Sequence, residues 1–536
     1  MQRREFVELM ALTASATMAT HTFAKTPGLP FDVAEKSVVE LQAAMASGQT
    51  TAQQLVRLYL ARIATVDKAG PKLNSVIELN PDALAIAKAL DVERKAKGPR
   101  GLLHGIPVLL KDNIATADNM QTTAGSLALV GMKPPRDAAL VVRLRDAGAV
   151  ILGKTNLSEW ANIRSTRSTS GWSARGGLTL NPYALDRNTS GSSSGSGTSM
   201  AASLAAVAVG TETDGSITSP ASVAGLVGIK PTLGLVSRAG IIPISHSQDT
   251  AGPMTRIVAD AAVLLTAMAG SDGRDPASAE ADHKKADYTR FLNKDGLKGK
   301  RIGVVRAQVA SANDRVAAVV ETQLAVLKTQ GAILIDVDDV PNASKYGESE
   351  LTVLLYELKA DMAAYLADYG PNAPIKTLAD VIAFNEKHRT QEMPFFGQEH
   401  FIQAQAKGGL DNKEYLDALA NNHRYARAEG LDQVLKQHQL DALVAPTGGP
   451  AWLTDLINGD AVGGSFTSPA AVAGYPHITV PCGAVHGLPI GLSFVGTAWS
   501  EGPLIAMAYA YEQASQQRRA PTYAKSLNLK VAHGLK

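Results

Sequence analysis

Between Lys300 and Val337 the chain reads strand, helix, strand, and that order restricts its architecture more than any other feature. Lys300-Arg-Ile302-Gly-Val304-Val305 is a short apolar run. Val316, Val319, Val320, Leu324 and Leu327 then recur at helical spacing, stopped by Gly331. Ala332-Ile-Leu-Ile335-Asp-Val337 is the second apolar run. A helical crossover of this length makes the two strands parallel neighbours, and a parallel sheet needs cover on both faces. The alternation recurs elsewhere. Gly101 to Asn113 predicts a turn and a short strand ending on Lys111, Ala139 to Ala147 a helix, and Ala149 to Leu152 a strand. Leu440 to Thr447 and Pro489 to Val495 predict two more strands. Residues 34–95 read as helices, with Thr50 or Thr51 capping the periodic run Gln53 to Ile63. Residues 345–430 read as helical and charged, and are expected to cap a site. No repeat or charged linker divides the middle, so the expectation is one large α/β domain with helical elements inserted.

Several function classes are excluded early. Among 536 residues, Lys and Arg exceed Asp and Glu by only two, which favours no nucleic-acid partner. The single cysteine, Cys482, excludes an internal disulfide and a Cys-based zinc site, and Pro481-Cys-Gly483 reads as a small packed side chain. No histidine pair stands at metal spacing with a carboxylate, so neither metal nor cofactor is expected. At the start, Arg3-Arg4 precedes a mildly apolar run from Val7 to Thr20 that ends at Ala24. This resembles a twin-arginine export signal over residues 1–24, with a periplasmic or secreted product and no stable membrane insertion. The sequence assigns no oligomeric state.

The chemistry concentrates between Thr189 and Ser216. Ser190-Gly-Ser192-Ser193-Ser194-Gly-Ser196-Gly197 is followed by an Ala-rich stretch, Thr198 to Val209, read as a helix, and then by Gly210-Thr-Glu-Thr-Asp-Gly215-Ser216. Gly before Ser216 leaves backbone N–H groups open to a ligand oxygen, and such a donor is typically worth about 3 kcal/mol to an oxyanion. By itself the turn also fits a surface serine. Lys111 closes an apolar strand, with Asp112 and Asn113 behind it. To act as a base at neutral pH its pKa must fall by roughly 3, about 4 kcal/mol, which burial supplies. A lysine snorkelling from a strand end fits the local pattern equally well. If Lys111 is neutral it can take a proton from Ser192, and Ser192 from Ser216, which would make Ser216 the nucleophile. A rival is Gly191-Ser-Ser193-Ser-Gly195, which matches the G-x-S-x-G elbow of α/β-hydrolase esterases with Ser193 as nucleophile. That elbow needs an apolar strand before it, whereas Thr179 to Thr189 is polar and broken by Pro182; His246, His423, His438 and His477 are candidate partners with nothing to mark one. A P-loop at Gly225-Leu-Val-Gly228-Ile-Lys230-Pro231 fails on spacing.

Together these residues resemble the amidase signature family, over nearly the whole chain beyond the signal. His104-Gly-Ile-Pro107 to Asn113, Thr122 to Ser126, Gly153-Lys-Thr-Asn156-Leu-Ser-Glu159-Trp160, Lys230-Pro-Thr232, Asp249 to Met254 and Gly487 to Leu492 follow in that family's order. The resemblance implies an α/β fold over residues 25–536, with a central mixed β-sheet covered by helices on both faces. It implies Lys111 as general base, Ser192 as a bridging serine with a cis peptide bond, and Ser216 as acylated nucleophile. The backbone N–H groups of Thr213, Asp214, Gly215 and Ser216 take the oxyanion-hole positions. The family's first serine aligns with Ser192 rather than Ser193. Ser190, Ser194 and Asp214 stand where glycines are usual, Glu212 where Asp is usual, and Thr218 and Ser219 where an arginine is usual. These departures, with Ser170-Gly-Trp172 and Gly496-Thr-Ala-Trp499, are most similar to the family's bacterial peptide amidases, and less so to its tRNA-dependent amidotransferase subunits. The implied partners are a peptide or small-molecule amide and water. Fatty-acid amides and aryl-acylamides are the alternative substrates within the family. A non-catalytic binding protein on the same scaffold is the alternative outside it.

Overall fold

The computed structural model describes residues 31–527; the signal read over residues 1–24 lies outside them. Thirteen strands are present among the described residues. In chain order they are β1 (Val76–Leu79), β2 (Pro107–Lys111), β3 (Val150–Thr155), β4 (Trp172–Ser173), β5 (Gly177–Leu178), β6 (Val207–Glu212) and β7 (Val227–Lys230). They continue as β8 (Thr250–Thr255), β9 (Arg301–Val305), β10 (Ile333–Val337), β11 (Ala442–Pro446), β12 (His477–Val485) and β13 (Leu488–Val495). β4 and β5 form a small hairpin. The other eleven form one sheet in the order β1-β3-β2-β6-β8-β7-β12-β13-β11-β9-β10. Two blocks are parallel, β2 between β3 and β6, and β9 between β10 and β11, with β1 added antiparallel at the β3 edge. The centre, β6 through β13, pairs antiparallel, so the sheet is mixed as expected. The expected βαβ unit is β9, the helix Asp314–Thr329 and β10, with β9 and β10 adjacent. That helix buries Val316, Val320, Leu324 and Leu327, leaves Val319 half-buried, and is capped by the Asn313 side chain.

Two readings change. Residues 34–95 are not all helical. Helices Val38–Ala46, Ala52–Arg62 and Ala83–Lys97 are there, but β1 lies between the last two and pairs antiparallel with β3 at the sheet edge. The four residues Val-Ile-Glu-Leu are too few to show a period, and the edge position supplies the pairing that propensity alone does not. Of the two cap candidates, Thr51 accepts the N–H of Gln54. The second change is in the Ser/Gly cluster. The helix starts inside it, at Ser194, and ends at Ala201, while Val207–Glu212 is strand β6. Small residues won over helix propensity because the helix is entirely buried. A Cβ on Gly195 would lie 2.4 Å from the Asn156 carbonyl oxygen and 2.3 Å from that of Ser75. Val207, Ala208 and Val209 suit a strand flanked by β2 and β8.

Between β10 and β11 the chain is mainly helical, from Gly347–Ala367 to Asp432–Gln437. Leu355, Leu358, Met362, Leu366 and Phe401 from this segment form one apolar cluster with Leu129, Leu157, Trp160 and Ile244. Among the described residues, no helix is long and apolar enough to cross a membrane.

Candidate active site

β2 and β6 run parallel and adjacent, with Leu110 opposite Val209, so Lys111 and Thr211 emerge side by side at their carboxyl ends. Lys111 is fully buried, which settles the snorkelling alternative. Its Nζ lies 2.7 Å from Ser192 Oγ, 2.8 Å from Thr211 Oγ1 and 3.2 Å from the Thr211 carbonyl oxygen. Thr211 Oγ1 also accepts from the Asn113 amide at 2.9 Å. Burial pulls the Lys111 pKa down to about 7, against the opposing charges of Asp249 and Glu212.

Ser192 is reached through a cis Gly191–Ser192 peptide bond. A Cβ on residue 191 would sit 2.1 Å from Ser158 Oγ, so only glycine fits before the serine. Ser193 points elsewhere. Its hydroxyl donates to the Thr211 carbonyl at 3.0 Å and accepts the Thr211 N–H at 3.2 Å, tying the cluster to β6. This is a structural clamp, and the esterase elbow has no support: no strand precedes Ser193, and His477 is occupied with Ser493 Oγ at 2.6 Å.

Directly after β6, Thr213 to Ser216 make a turn in which Gly215 has φ +77°. Glu212 closes this turn: its carboxylate accepts the N–H groups of Ile217 and Thr218 at 2.8 and 2.9 Å, at the start of helix Thr218–Val223. Among the described residues, no hydrogen bond within the protein uses the N–H groups of Thr213, Asp214, Gly215 or Ser216. Ser216 is held to the cluster through its carbonyl, which accepts the Ser193 N–H at 3.1 Å. Its hydroxyl takes part in none of the described hydrogen bonds. Thr213, Asp214, Gly215 and Ser216 line a cavity of about 400 Å³ with Ile163, Ile244, Leu354 and Trp452. Asp460, also in the lining, accepts from the Ser170 N–H and hydroxyl and from the Trp452 indole.

Sequence reasoning missed Thr211, Asp249 and Gln248. Asp249 accepts the Thr213 hydroxyl at 2.6 Å and the N–H groups of Ile244 and Ser245 at 2.7 and 2.9 Å. Gln248 donates to the Thr213 carbonyl at 3.3 Å. Only Asp249 carried a signal, the Asp-Thr-Ala-Gly run that opens β8. Lys154 and Lys230 are also wholly buried at strand ends, their pKa values each lowered to about 8 by burial. Lys154 is spent on the Ile114 carbonyl and Thr122, and Lys230 on the Pro231 carbonyl.

Known proteins resemble this chain in sequence and fold. The amidase family profile matches residues 54–505. The solved structure of native peptide amidase from Stenotrophomonas maltophilia is 53% identical, covers 92% of this chain and 100% of its own, and superimposes with a TM-score of 0.88. A peptide amidase solved with the competitive inhibitor chymostatin is 54% identical over 92% of this chain and 100% of its own, with a TM-score of 0.89. A probable amidase of Arabidopsis thaliana is 43% identical over 92% of both chains. The fold, the match over most of the length and these relatives establish that the chain belongs to the amidase signature family and is an amide-hydrolysing enzyme.

Proposed function

We propose that the enzyme cleaves the C-terminal amides of peptides through an acyl-enzyme on Ser216, with Ser192 and Lys111 as proton relay. The carrying observation is the 2.7 Å approach of Lys111 Nζ to Ser192 Oγ, both side chains fully buried. As an ammonium, Nζ donates to all three partners; once neutral, it keeps two N–H groups on Thr211 and turns its lone pair to the Ser192 proton. Ser192 then takes the Ser216 proton as Ser216 Oγ bonds to the amide carbon. The carbonyl oxygen becomes an oxyanion facing the four unengaged N–H groups. The proton returns through Ser192 to the leaving nitrogen, the C–N bond breaks, and ammonia departs. Water repeats the sequence on the ester and frees the acid and Ser216. The peptide amidase likeness supports this substrate class.

The test is ammonia release from a panel of peptide amides, fatty amides and anilides. Peptide amides should be preferred, and chymostatin should compete with them. Turnover should vanish in Ser216→Ala and persist in Ser193→Ala. Cleavage of fatty amides or anilides alone would refute the substrate class, and full activity in Ser216→Ala would refute the relay. We also propose export in the folded state through the Arg3-Arg4 signal. Replacing both arginines with lysine should retain the protein in the cytoplasmic fraction; unchanged fractionation would refute export by this route.

A further inference from the structure

Asp214 has a partner on the helical segment. Its Oδ2 accepts the Ser468 hydroxyl at 2.5 Å, while Oδ1 is buried with no N–H or O–H donor among the described residues. The Thr467 hydroxyl also reaches the Asp214 carboxyl, and so does the carboxyl of Glu350, in the first turn of helix Gly347–Ala367. Glu350 Oε1 accepts from Gln248 Nε2 at 2.9 Å, and the same nitrogen reaches the Thr213 carbonyl at 3.3 Å. Two carboxyls in hydrogen-bond contact inside a protein cannot both ionise cheaply, and one proton between them supplies the donor that Oδ1 lacks. We propose that Glu350 is a positioning residue for acyl transfer: protonated, it bonds to Asp214 and, with Gln248, fixes the Thr213–Ser216 turn that presents the oxyanion-binding N–H groups.

Other charges bear on the pair. Burial holds both carboxyls above the ordinary carboxylate range; the Asp214 charge adds to this for Glu350, while hydrogen bonds from Ser468, Thr467 and Glu350 oppose it for Asp214. Lys230 on β7 opposes this for Asp214, and Glu212 on β6 lies within range of Asp214. Asp249, beneath Thr213, is raised to about 6 by its own burial. The Tyr346 hydroxyl, buried beside both carboxyls, is itself pushed up and stays neutral. The helix N-terminus favours a charge on Glu350 by at most about 2 kcal/mol in such partly buried sites, and burial beside Asp214 outweighs it. The sign follows. At lower pH the pair holds its proton and the turn is fixed. As pH rises past the pair, two negative charges stand beside the oxyanion position, and turnover falls.

The proposal rests on acyl transfer at Ser216 and needs only an amide the wild type cleaves. The experiment compares wild type, Glu350→Ala and Glu350→Gln by kcat and KM against pH, with thermal unfolding as a check and Ser216→Ala in the same assay. Glutamine can donate to Asp214 and accept from Gln248 in place of the protonated acid. Glu350→Ala should lower kcat by about 10- to 100-fold with little change in KM, the scale of misplaced catalytic groups. Glu350→Gln should restore kcat to within a few-fold and lose the alkaline decline seen in the wild type. Unchanged kcat and pH profile in Glu350→Ala would overturn the proposal. So would a Glu350→Gln variant as slow as the alanine, or one that keeps the wild-type alkaline limb; this arm decides if the alanine variant fails to fold. Activity surviving in Ser216→Ala would instead sink the parent mechanism.

Discussion

Lys111 is useful only when uncharged, so its burial is a functional requirement with a measurable signature. Below a pKa of about 7 the amine is protonated and cannot accept from Ser192. Turnover should therefore rise with pH through that value, as kcat/KM profiles in buffers of constant ionic strength would show; a flat profile there would mean that Lys111 is not the base. Lys111→Arg keeps a cation at every accessible pH and should lose about 10²- to 10⁴-fold across the whole range. A charged residue ending an apolar strand was visible in the sequence, and so was Gly215-Ser216. Thr211 was not, because its importance comes from standing across the sheet from Lys111, a relation that no local pattern carries. Glu350 was hidden for the same reason, as one acid among many on a charged helix.

At the scale of elements, the helix Ser194–Ala201 exists where propensity argues against it. Its serines and glycines are there for fit. Ser193 clamps β6, Ser196 and Thr155 hydroxyls meet at 2.7 Å, and Gly195 admits the backbone of Asn156. Gly195→Ala would favour the helix by about 1 kcal/mol in isolation. In the protein it should destabilise, because the methyl group has only backbone to push against. A denaturation midpoint equal to or above wild type would contradict this. The strands around β9 were legible because long periodic segments flank them. β6, β7, β8 and β12 went unread, since glycine interrupts each of them and blurs the strand pattern. β12 even carries Pro481 at a bulge beside the buried Cys482.

At the scale of the whole molecule, one buried cation joins regions far apart in sequence. Arg164 has no exposure and lies 2.7 Å from Glu159, with its guanidinium 4.4 Å above the Phe396 ring and donating to the Glu392 carbonyl at 2.5 Å. Arg164→Ala would leave Glu159 and Glu392 facing each other without a cation, at a cost of about 3–5 kcal/mol. Chemical denaturation should show that loss; a change under about 1 kcal/mol would mean that the pair had already neutralised itself. The sheet order carries a separate consequence. β10 and β11 both flank β9, so the chain leaves the sheet and returns to it roughly 14 Å away, two strand spacings across and three residues along. All the intervening helices hang from that narrow base, while Lys111, Ser192 and Ser216 belong to the far side of the strand order. Such an excursion is a natural unit of exchange between relatives. A chimera carrying another member's segment would keep its proton relay and trade its substrate wall, provided the donor brings a carboxyl to meet Asp214.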